Sequence, residues 1–134
     1  MSGLLDHLSI PVAHLEPAAA FYDAVLATLG MVRRREAPGA IAYGPPDRAA
    51  PVFWLLHSSS DKSARSGLGL HVAFEADDRA TVDAFYETAI RCGGRPAGDP
   101  GPRPQYTQPF YGAFVLDLDG FKVEAVCRRE VRAG

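Results

Sequence analysis

Two stretches decide the fold: residues 5–30 (LDHLSIPVAHLEPAAAFYDAVLATLG) and residues 69–94 (GLHVAFEADDRATVDAFYETAIRCGG). Aligned without gaps, they share five identical pairs: His7/His71, Ala20/Ala84, Phe21/Phe85, Tyr22/Tyr86 and Gly30/Gly94. Similarity at one fixed spacing within a chain predicts a structural unit that occurs twice.

Each stretch has the pattern of a strand followed by a helix. Apolar residues alternate with period two in residues 4–12 and 69–75, which is typical of strands with one buried face. Apolar residues at three- and four-residue spacing then predict helices over about residues 16–29 and 79–91. Gly30 directly follows the first of these helices and is a typical stop signal.

Three shorter strands complete each half. They are predicted near residues 32–36, 40–43 and 52–57 in the first half, and near 95–97, 113–116 and 121–127 in the second. The sequence therefore predicts an α+β protein of two tandem βαβββ modules, residues 4–57 and 69–128, joined by a Ser-rich linker at 58–68. The remaining loop, residues 96–109, contains five prolines and is expected to be conformationally restricted.

Composition narrows the class of protein. The chain has 134 residues, 47% of them hydrophobic and 22% charged, which suits one globular domain. A net charge of −2 gives no broad cationic field, so neither nucleic acid nor a membrane surface is an expected partner. Only two cysteines and no apolar N-terminal segment are present, which together predict a cytoplasmic location.

Strand parity predicts which polar residues share a face, because side chains alternate between the two faces of a sheet. If the apolar rows cover the helices, His7 and Trp54 of the first half and His71 and Glu124 of the second lie on the opposite face. Two imidazoles and one carboxylate are the donors of the 2-His-1-carboxylate metal site. A solvent-exposed sheet face carrying the same residues is the alternative.

The chain resembles the vicinal oxygen chelate superfamily, which includes glyoxalases, bleomycin-resistance proteins, fosfomycin-resistance thiol transferases and extradiol dioxygenases. The resemblance covers about residues 4–127, and its motifs are LDHLSIPV (5–12), FY (21–22), LGM (29–31), LHVAF (70–74) and FVLDLDGFKVE (114–124).

The resemblance implies a cup-shaped, mostly antiparallel mixed sheet with helices on its outer face, around a divalent metal and within a homodimer. Position by position, it implies His7, His71 and Glu124 as ligands of one Fe, Mn, Ni or Zn ion that binds a small oxygen-chelating substrate. Trp54 stands where glyoxalase I has a ligand or base, and an indole cannot accept a proton. The resemblance therefore favours a lyase, isomerase or dioxygenase other than lactoylglutathione lyase itself.

The family resemblance also leaves other functions open. An extradiol dioxygenase needs an acid or base near the metal, and the candidates are Tyr106, Tyr111 and His57. A thiol transferase of the fosfomycin-resistance type would use Mn(II), with Ser9 near the substrate.

A metal-free protein of the bleomycin-resistance type would instead sequester a planar drug. The substrate pocket expected across these functions consists of Ser9, Trp54, Tyr43, Phe110 and Tyr111, in which aromatic rings supply stacking surfaces.

Overall fold

The computed structural model describes residues 3–59, 70–106 and 109–129. The chain divides into two compact units, Met1–Ala64 and Arg65–Gly134. We call them module one and module two. Most of the predicted linker, residues 60–68, lies outside the described residues.

Module one is a four-stranded mixed sheet with one helix, in the strand order β1-β4-β3-β2. The strands β1 and β4 are parallel, and the other neighbours are antiparallel. Its elements are β1 (Leu8–Val12), α1 (Leu15–Ala27), β2 (Val32–Ala37), β3 (Ala40–Gly44) and β4 (Phe53–His57).

Module two repeats this topology in the order β5-β8-β7-β6, again with one parallel pair, β5 with β8. Its elements are β5 (His71–Glu75), α2 (Arg79–Arg91), β6 (Arg95–Pro102), β7 (Tyr111–Leu116) and β8 (Lys122–Cys127). The predicted α+β class and the two βαβββ modules are confirmed.

Two predicted strand boundaries differ from the structure by four residues or more. The first strand begins at Leu8 rather than near residue 4, and the side chains of Leu4 and Leu5 are 92% and 83% exposed. The sixth strand continues to Pro102, through the first half of the segment expected to be a loop. It is an edge strand with two register shifts against β7, and such a strand tolerates prolines because one side of it has no ladder to complete.

Each helix packs on one face of its own sheet. In module one, the ring of Tyr22 on α1 lies 5.0 Å from the ring of Phe53 on β4, and both are buried. In module two, Phe85 on α2 is fully buried, as are Val115 and Val123 on the central strands. Burying one such side chain contributes about 1.5–3 kcal/mol. The helix-facing rows therefore stabilise each module separately.

A tight hairpin fixes the beginning of β8. The Asp117 carboxylate accepts hydrogen bonds from the backbone N–H groups of Asp119 and Phe121, each at 2.9 Å. Gly120 has a φ of 84°, a conformation that glycine adopts without strain. This turn sets the register of β8 and so decides which of its side chains face away from α2.

Neither α1 nor α2, the helices of the described segments, is long and apolar enough to cross a membrane.

Candidate functional site

The open face of the module two sheet, the face away from α2, carries a buried carboxylate. Glu124 lies on the central strand β8, in register with Ala73 on β5 and Phe114 on β7. Lys122, two residues before Glu124 on the same strand, is in register with His71. The predicted face of His71 and Glu124 therefore agrees with the observed register.

His71 and Glu124 are in direct contact. Nε2 of His71 is hydrogen-bonded to Oε1 of Glu124 at 3.1 Å, and the two side chains are 37% and 4% exposed. The second oxygen of Glu124, Oε2, is buried and has no hydrogen-bond partner among the described residues. A buried oxygen without a partner costs about 1–3 kcal/mol, so this position is unfavourable unless a ligand completes it.

Burial raises the pKa of Glu124, because a charged carboxylate loses its hydration inside the sheet. The neighbouring His71 opposes this rise through charge and hydrogen bonding, and the cations of Lys122 and Arg103 oppose it further. Burial is the larger effect, so Glu124 holds its proton to a higher pH than a solvent-exposed glutamate.

A pocket of about 350 Å³ opens above this pair, within module two. Such a volume lies at the lower end of the range for small-molecule sites. Its walls combine aromatic rings with basic side chains, and they include Tyr106, Phe110, Phe114, Lys122 and Arg128 around His71 and Glu124.

The aromatic walls are arranged in contact with the cations. The rings of Tyr106 and Phe110 meet edge to face at 4.6 Å. Nζ of Lys122 lies 4.6 Å from the centre of the Phe114 ring, and Cζ of Arg128 lies 5.1 Å from that of Phe110. Cation–π contacts of this kind hold the basic groups at the pocket without neutralising their charge.

Module one carries different residues on its own open face. Trp54 on β4 is in register with Ser9 on β1 and with Ala42 on β3. The trio matches that of Ala73, Glu124 and Phe114 in module two, so Trp54 is the counterpart of Glu124, as predicted from the repeat.

His7 precedes β1 by one residue and contacts its neighbour in sequence. Nδ1 of His7 lies 2.7 Å from Oδ2 of Asp6, and the hydrogen bond with His7 is the main cause of the lowered pKa of Asp6. An ionised carboxylate can only accept a hydrogen bond, so the proton lies on Nδ1 of His7. Nε2 of a neutral His7 is then the nitrogen that has a lone pair for a ligand.

Three of the predicted site residues lie in the helix-facing rows of their strands. Tyr43 is fully buried under α1, with its hydroxyl within 3.0 Å of the Ala19 carbonyl and 2.8 Å of the Asp23 carboxylate. Tyr111 donates a hydrogen bond to Asp83 of α2 at 2.7 Å. His57 is in register with Val12 at the end of β4, in the same row as Phe53 and Leu55, and its side chain is exposed. Tyr43 and Tyr111 therefore contact helix residues and do not line the pocket of module two, and the acid or base roles of Tyr111 and His57 stay predictions.

The pocket of module two brings together four of the predicted residues: His71, Glu124, Tyr106 and Phe110. Lys122, Arg128 and Phe114 also line the pocket and were not predicted as site residues. Parity with Glu124 was a sufficient signal for Lys122, which is two residues away on the same strand. Parity gave no comparable signal for Arg128, which follows the end of β8.

Among residues 3–59, 70–106 and 109–129, no three or more His, Cys, Asp or Glu side chains form a group that could hold a metal ion. Module two by itself supplies two suitable donors. These donors are Nε2 of His71 and Oε1 of Glu124, which lie 3.1 Å apart. The partnerless Oε2 of Glu124 adds a second oxygen for such an ion, so this pair fits a divalent metal.

Comparisons with known proteins agree with this fold. The chain belongs to the Glyoxalase/Bleomycin resistance protein/Dioxygenase superfamily, whose family model matches residues 4–125. Among curated proteins, none matches the sequence.

Solved structures that are similar to this chain include a glyoxalase/bleomycin resistance protein from Albidiferax ferrireducens T118. The identity is 31% and the TM-score 0.80, over 92% of this chain and 98% of that one.

Two more distant structures are similar in fold. One is a glyoxalase/bleomycin resistance protein/dioxygenase family enzyme from Burkholderia phytofirmans PsJN, with 18% identity and a TM-score of 0.70 over 93% of this chain and 98% of that one. The other is a mutant of the fosfomycin resistance protein FosX from Listeria monocytogenes, complexed with Mn(II) and 1S,2S-dihydroxypropylphosphonic acid. It has 17% identity and a TM-score of 0.67 over 93% and 90% of the two chains.

Proposed function

We propose that this protein is a divalent-metal-dependent enzyme that acts on a small molecule with two neighbouring oxygen atoms, and that His7, His71 and Glu124 are the metal ligands. One observation carries the proposal. The Glu124 carboxylate is buried, one of its oxygens lies 3.1 Å from Nε2 of His71, and the other has no partner in the part of the chain that is described.

Two imidazoles and one carboxylate suit Fe, Mn, Ni or Zn and leave coordination positions open for substrate. When bound, such an ion would act as a Lewis acid that polarises the oxygen atoms of the substrate. The Mn(II) in the FosX structure is consistent with a manganese ion here.

Asp6 would orient the first ligand. Its carboxylate accepts the Nδ1–H of His7, and this leaves Nε2 of that ring for the metal. Carboxylates in this position commonly fix the tautomer and ring orientation of a metal-binding histidine.

The residues around the pocket favour some reactions over others. The counterpart of Glu124 in module one is Trp54, whose indole N–H donates a hydrogen bond but accepts no proton. We therefore do not propose the proton transfer of glyoxalase I. Among the predicted acids and bases, Tyr106 lines the pocket, and its hydroxyl can donate a hydrogen bond to a substrate oxygen.

A second function has its own support. The edge-to-face pair of Tyr106 and Phe110, with the nearby ring of Phe114, would hold a planar molecule without any metal. Sequestration of a planar drug is therefore the alternative to metal-dependent catalysis.

Metal content tests the proposal. Tag-free protein, reconstituted in turn with each of the four metals, is analysed for metal after gel filtration. The wild type is expected to retain about one ion per chain, and His7→Ala, His71→Ala and Glu124→Ala are each expected to lose it. The exposed His14→Ala and Glu87→Ala are the matched controls and should retain the metal. A wild type that retains none of the four metals would overturn the proposal and favour sequestration of a planar drug as the function.

We also propose a cytoplasmic homodimer, which accords with two free cysteines and with edge strands in both sheets. Mixed dimers of His7→Ala with His71→Ala test whether one site uses both chains. If ligands come from two chains, half of the sites regain all three ligands and the metal returns to half occupancy. If each site lies within one chain, the mixed dimer stays metal-free, and a strict monomer by light scattering would contradict the dimer itself.

A further inference from the structure

We propose that the pocket of module two selects a small aromatic anion, such as an aromatic carboxylate, with its charged group at Lys122 and its ring against Phe110 and Phe114. The inference rests on the proposed function only in that both use the same pocket. The preference for a negative charge next to an aromatic ring comes from the side chains of the pocket and does not depend on a bound metal.

The charges around the pocket are unequal. One carboxylate, Glu124, lines it, while Lys122 and Arg128 bring two positive charges. Neither cation forms an ion pair with any residue in the described ranges. Arg103 is close enough to lower the pKa of Glu124, but its guanidinium donates to the backbone carbonyls of Asp99 and Gly101. Lys122 and Arg128 are therefore the two cations that line the pocket and form no ion pair within the described ranges.

The positions of the two cations favour an aromatic ligand over a purely aliphatic one. Lys122 is half-buried with Nζ over the Phe114 ring, and the Arg128 guanidinium lies over Phe110. An anion bound to either group is therefore held beside an aromatic face. The rest of the ligand contacts these rings, and a planar ring buries the most surface there and stacks at their faces or edges.

The spacing along β8 sets the size of the ligand. Lys122 and Glu124 are two residues apart on the same face of the strand, which corresponds to about 7 Å. A benzene ring with its charged group at one end and an oxygen substituent at the other spans roughly this distance. Such a molecule would reach from Lys122 to the His71–Glu124 pair and would fit the pocket of about 350 Å³.

Fluorine NMR on chelator-treated protein tests the ligand class without any contribution from metal. The probes are 4-fluorobenzoate, the neutral 4-fluorobenzamide and the aliphatic anion fluoroacetate, each titrated with wild-type protein. We expect 4-fluorobenzoate to bind at least tenfold more tightly than either of the other two. Lys122→Met should weaken 4-fluorobenzoate about tenfold, a loss typical of one charge-assisted contact.

Controls separate the pocket from general charge effects. Arg129→Gln removes a neighbouring cation that lies 3.9 Å from the Asp77 carboxylate, and it should leave binding unchanged. Lys122→Arg restores the charge and should recover most of the affinity. Thermal unfolding of each variant verifies that the fold is intact.

The outcomes distinguish this inference from the proposed function. Equal binding of benzoate and benzamide, or equal losses in Arg129→Gln and Lys122→Met, would overturn the inference even if the protein retains metal. Selective benzoate binding by a protein that retains no metal would support the inference and overturn metal-dependent catalysis.

Discussion

The two modules have the same fold but differ on their open faces. Module one has Trp54 on its central strand, between the small residues Ser9 and Ala42. Module two has Glu124 at the equivalent position, between Ala73 and the ring of Phe114. The large aromatic side chain is thus on β4 in module one, whereas in module two it is on β7, the neighbour of the equivalent strand β8.

This difference shows that the two faces of the sheet are under different constraints. The helix-facing rows must stay apolar and close-packed, because they bury the helix in both modules. The open rows have no such requirement, and among the described residues only module two uses its open row to bury a carboxylate without a complete set of partners. An arrangement that costs folding energy in one of two similar modules indicates a function located there.

The largest expected effect tests the equivalence of the helix-facing rows. Phe21 and Phe85 are repeat partners, and both are almost completely buried. Phe21→Ala and Phe85→Ala should each lower the free energy of unfolding by about 3–5 kcal/mol, because each leaves a large cavity. Urea unfolding followed by circular dichroism measures this loss, and Glu87→Ala is the exposed control.

The fluorescence of Trp54 refines this measurement, since it is the only tryptophan and lies in module one. If the modules unfold together, both Phe variants shift the fluorescence midpoint. A Phe85→Ala variant that changes circular dichroism but not the fluorescence would contradict a single cooperative unit.

The sequence predicted the fold better than the site. Alternation and the repeat were enough for both modules, and the predicted bounds of α2 are the observed ones. Tyr43 was misjudged because Ile41, Ala42 and Tyr43 are all buried, so that the pattern of β3 does not reveal which face is which. Tyr111 was misjudged because the predicted strand began at residue 113. Extended by two residues, the strand has Tyr111 in the same row as Ala113, facing α2.

A second prediction concerns a position where module two has glycine and module one has alanine. Gly112 pairs with Val126 as Ala40 pairs with Leu56. A Cβ at Gly112 would lie 2.7 Å from Cε1 of Phe110 and 3.3 Å from Oε2 of Glu124. Gly112→Ala should therefore displace Phe110 and destabilise the protein by about 1–3 kcal/mol.

Binding is the sharper measurement for Gly112→Ala. Because Phe110 forms part of the pocket, 4-fluorobenzoate should bind several-fold more weakly in the variant. Ala40→Gly is the reciprocal change in module one and should leave that affinity unchanged. Equal affinities of wild type and Gly112→Ala would mean that Phe110 does not contact the ligand.

A third prediction compares the two histidines. His7 is paired with Asp6, its neighbour in sequence, whereas His71 follows Leu70 and is paired with Glu124. Asp6→Leu gives module one the residue of module two and should weaken metal binding about tenfold, the lower end of the range for such partners. Isothermal titration with Mn(II) measures the affinity, and nitrogen-15 NMR of His7 reports its tautomer. A variant with unchanged tautomer and affinity would exclude Asp6 as a positioning residue.

The last prediction concerns the pH dependence of stability in the metal-free protein. Burial raises the pKa of Glu124 above its ordinary value of 4.5, so the folded protein binds a proton there that the unfolded chain has already released. This contribution favours folding below the unfolded pKa and is lost as the pH rises through the folded one. Glu124→Gln lacks it.

We therefore expect the free energy of unfolding of the wild type, minus that of Glu124→Gln, to fall as the pH rises above about 4.5, measured by urea unfolding with chelator present. A difference that increases with pH would mean that attraction to His71 and Lys122 outweighs burial. Glu124 would then be a stabilising ion-pair partner, and the comparison with Trp54 would no longer indicate a function in module two. A falling difference would mean that Glu124 is retained at a cost in stability, as expected of a ligand whose partner binds after folding.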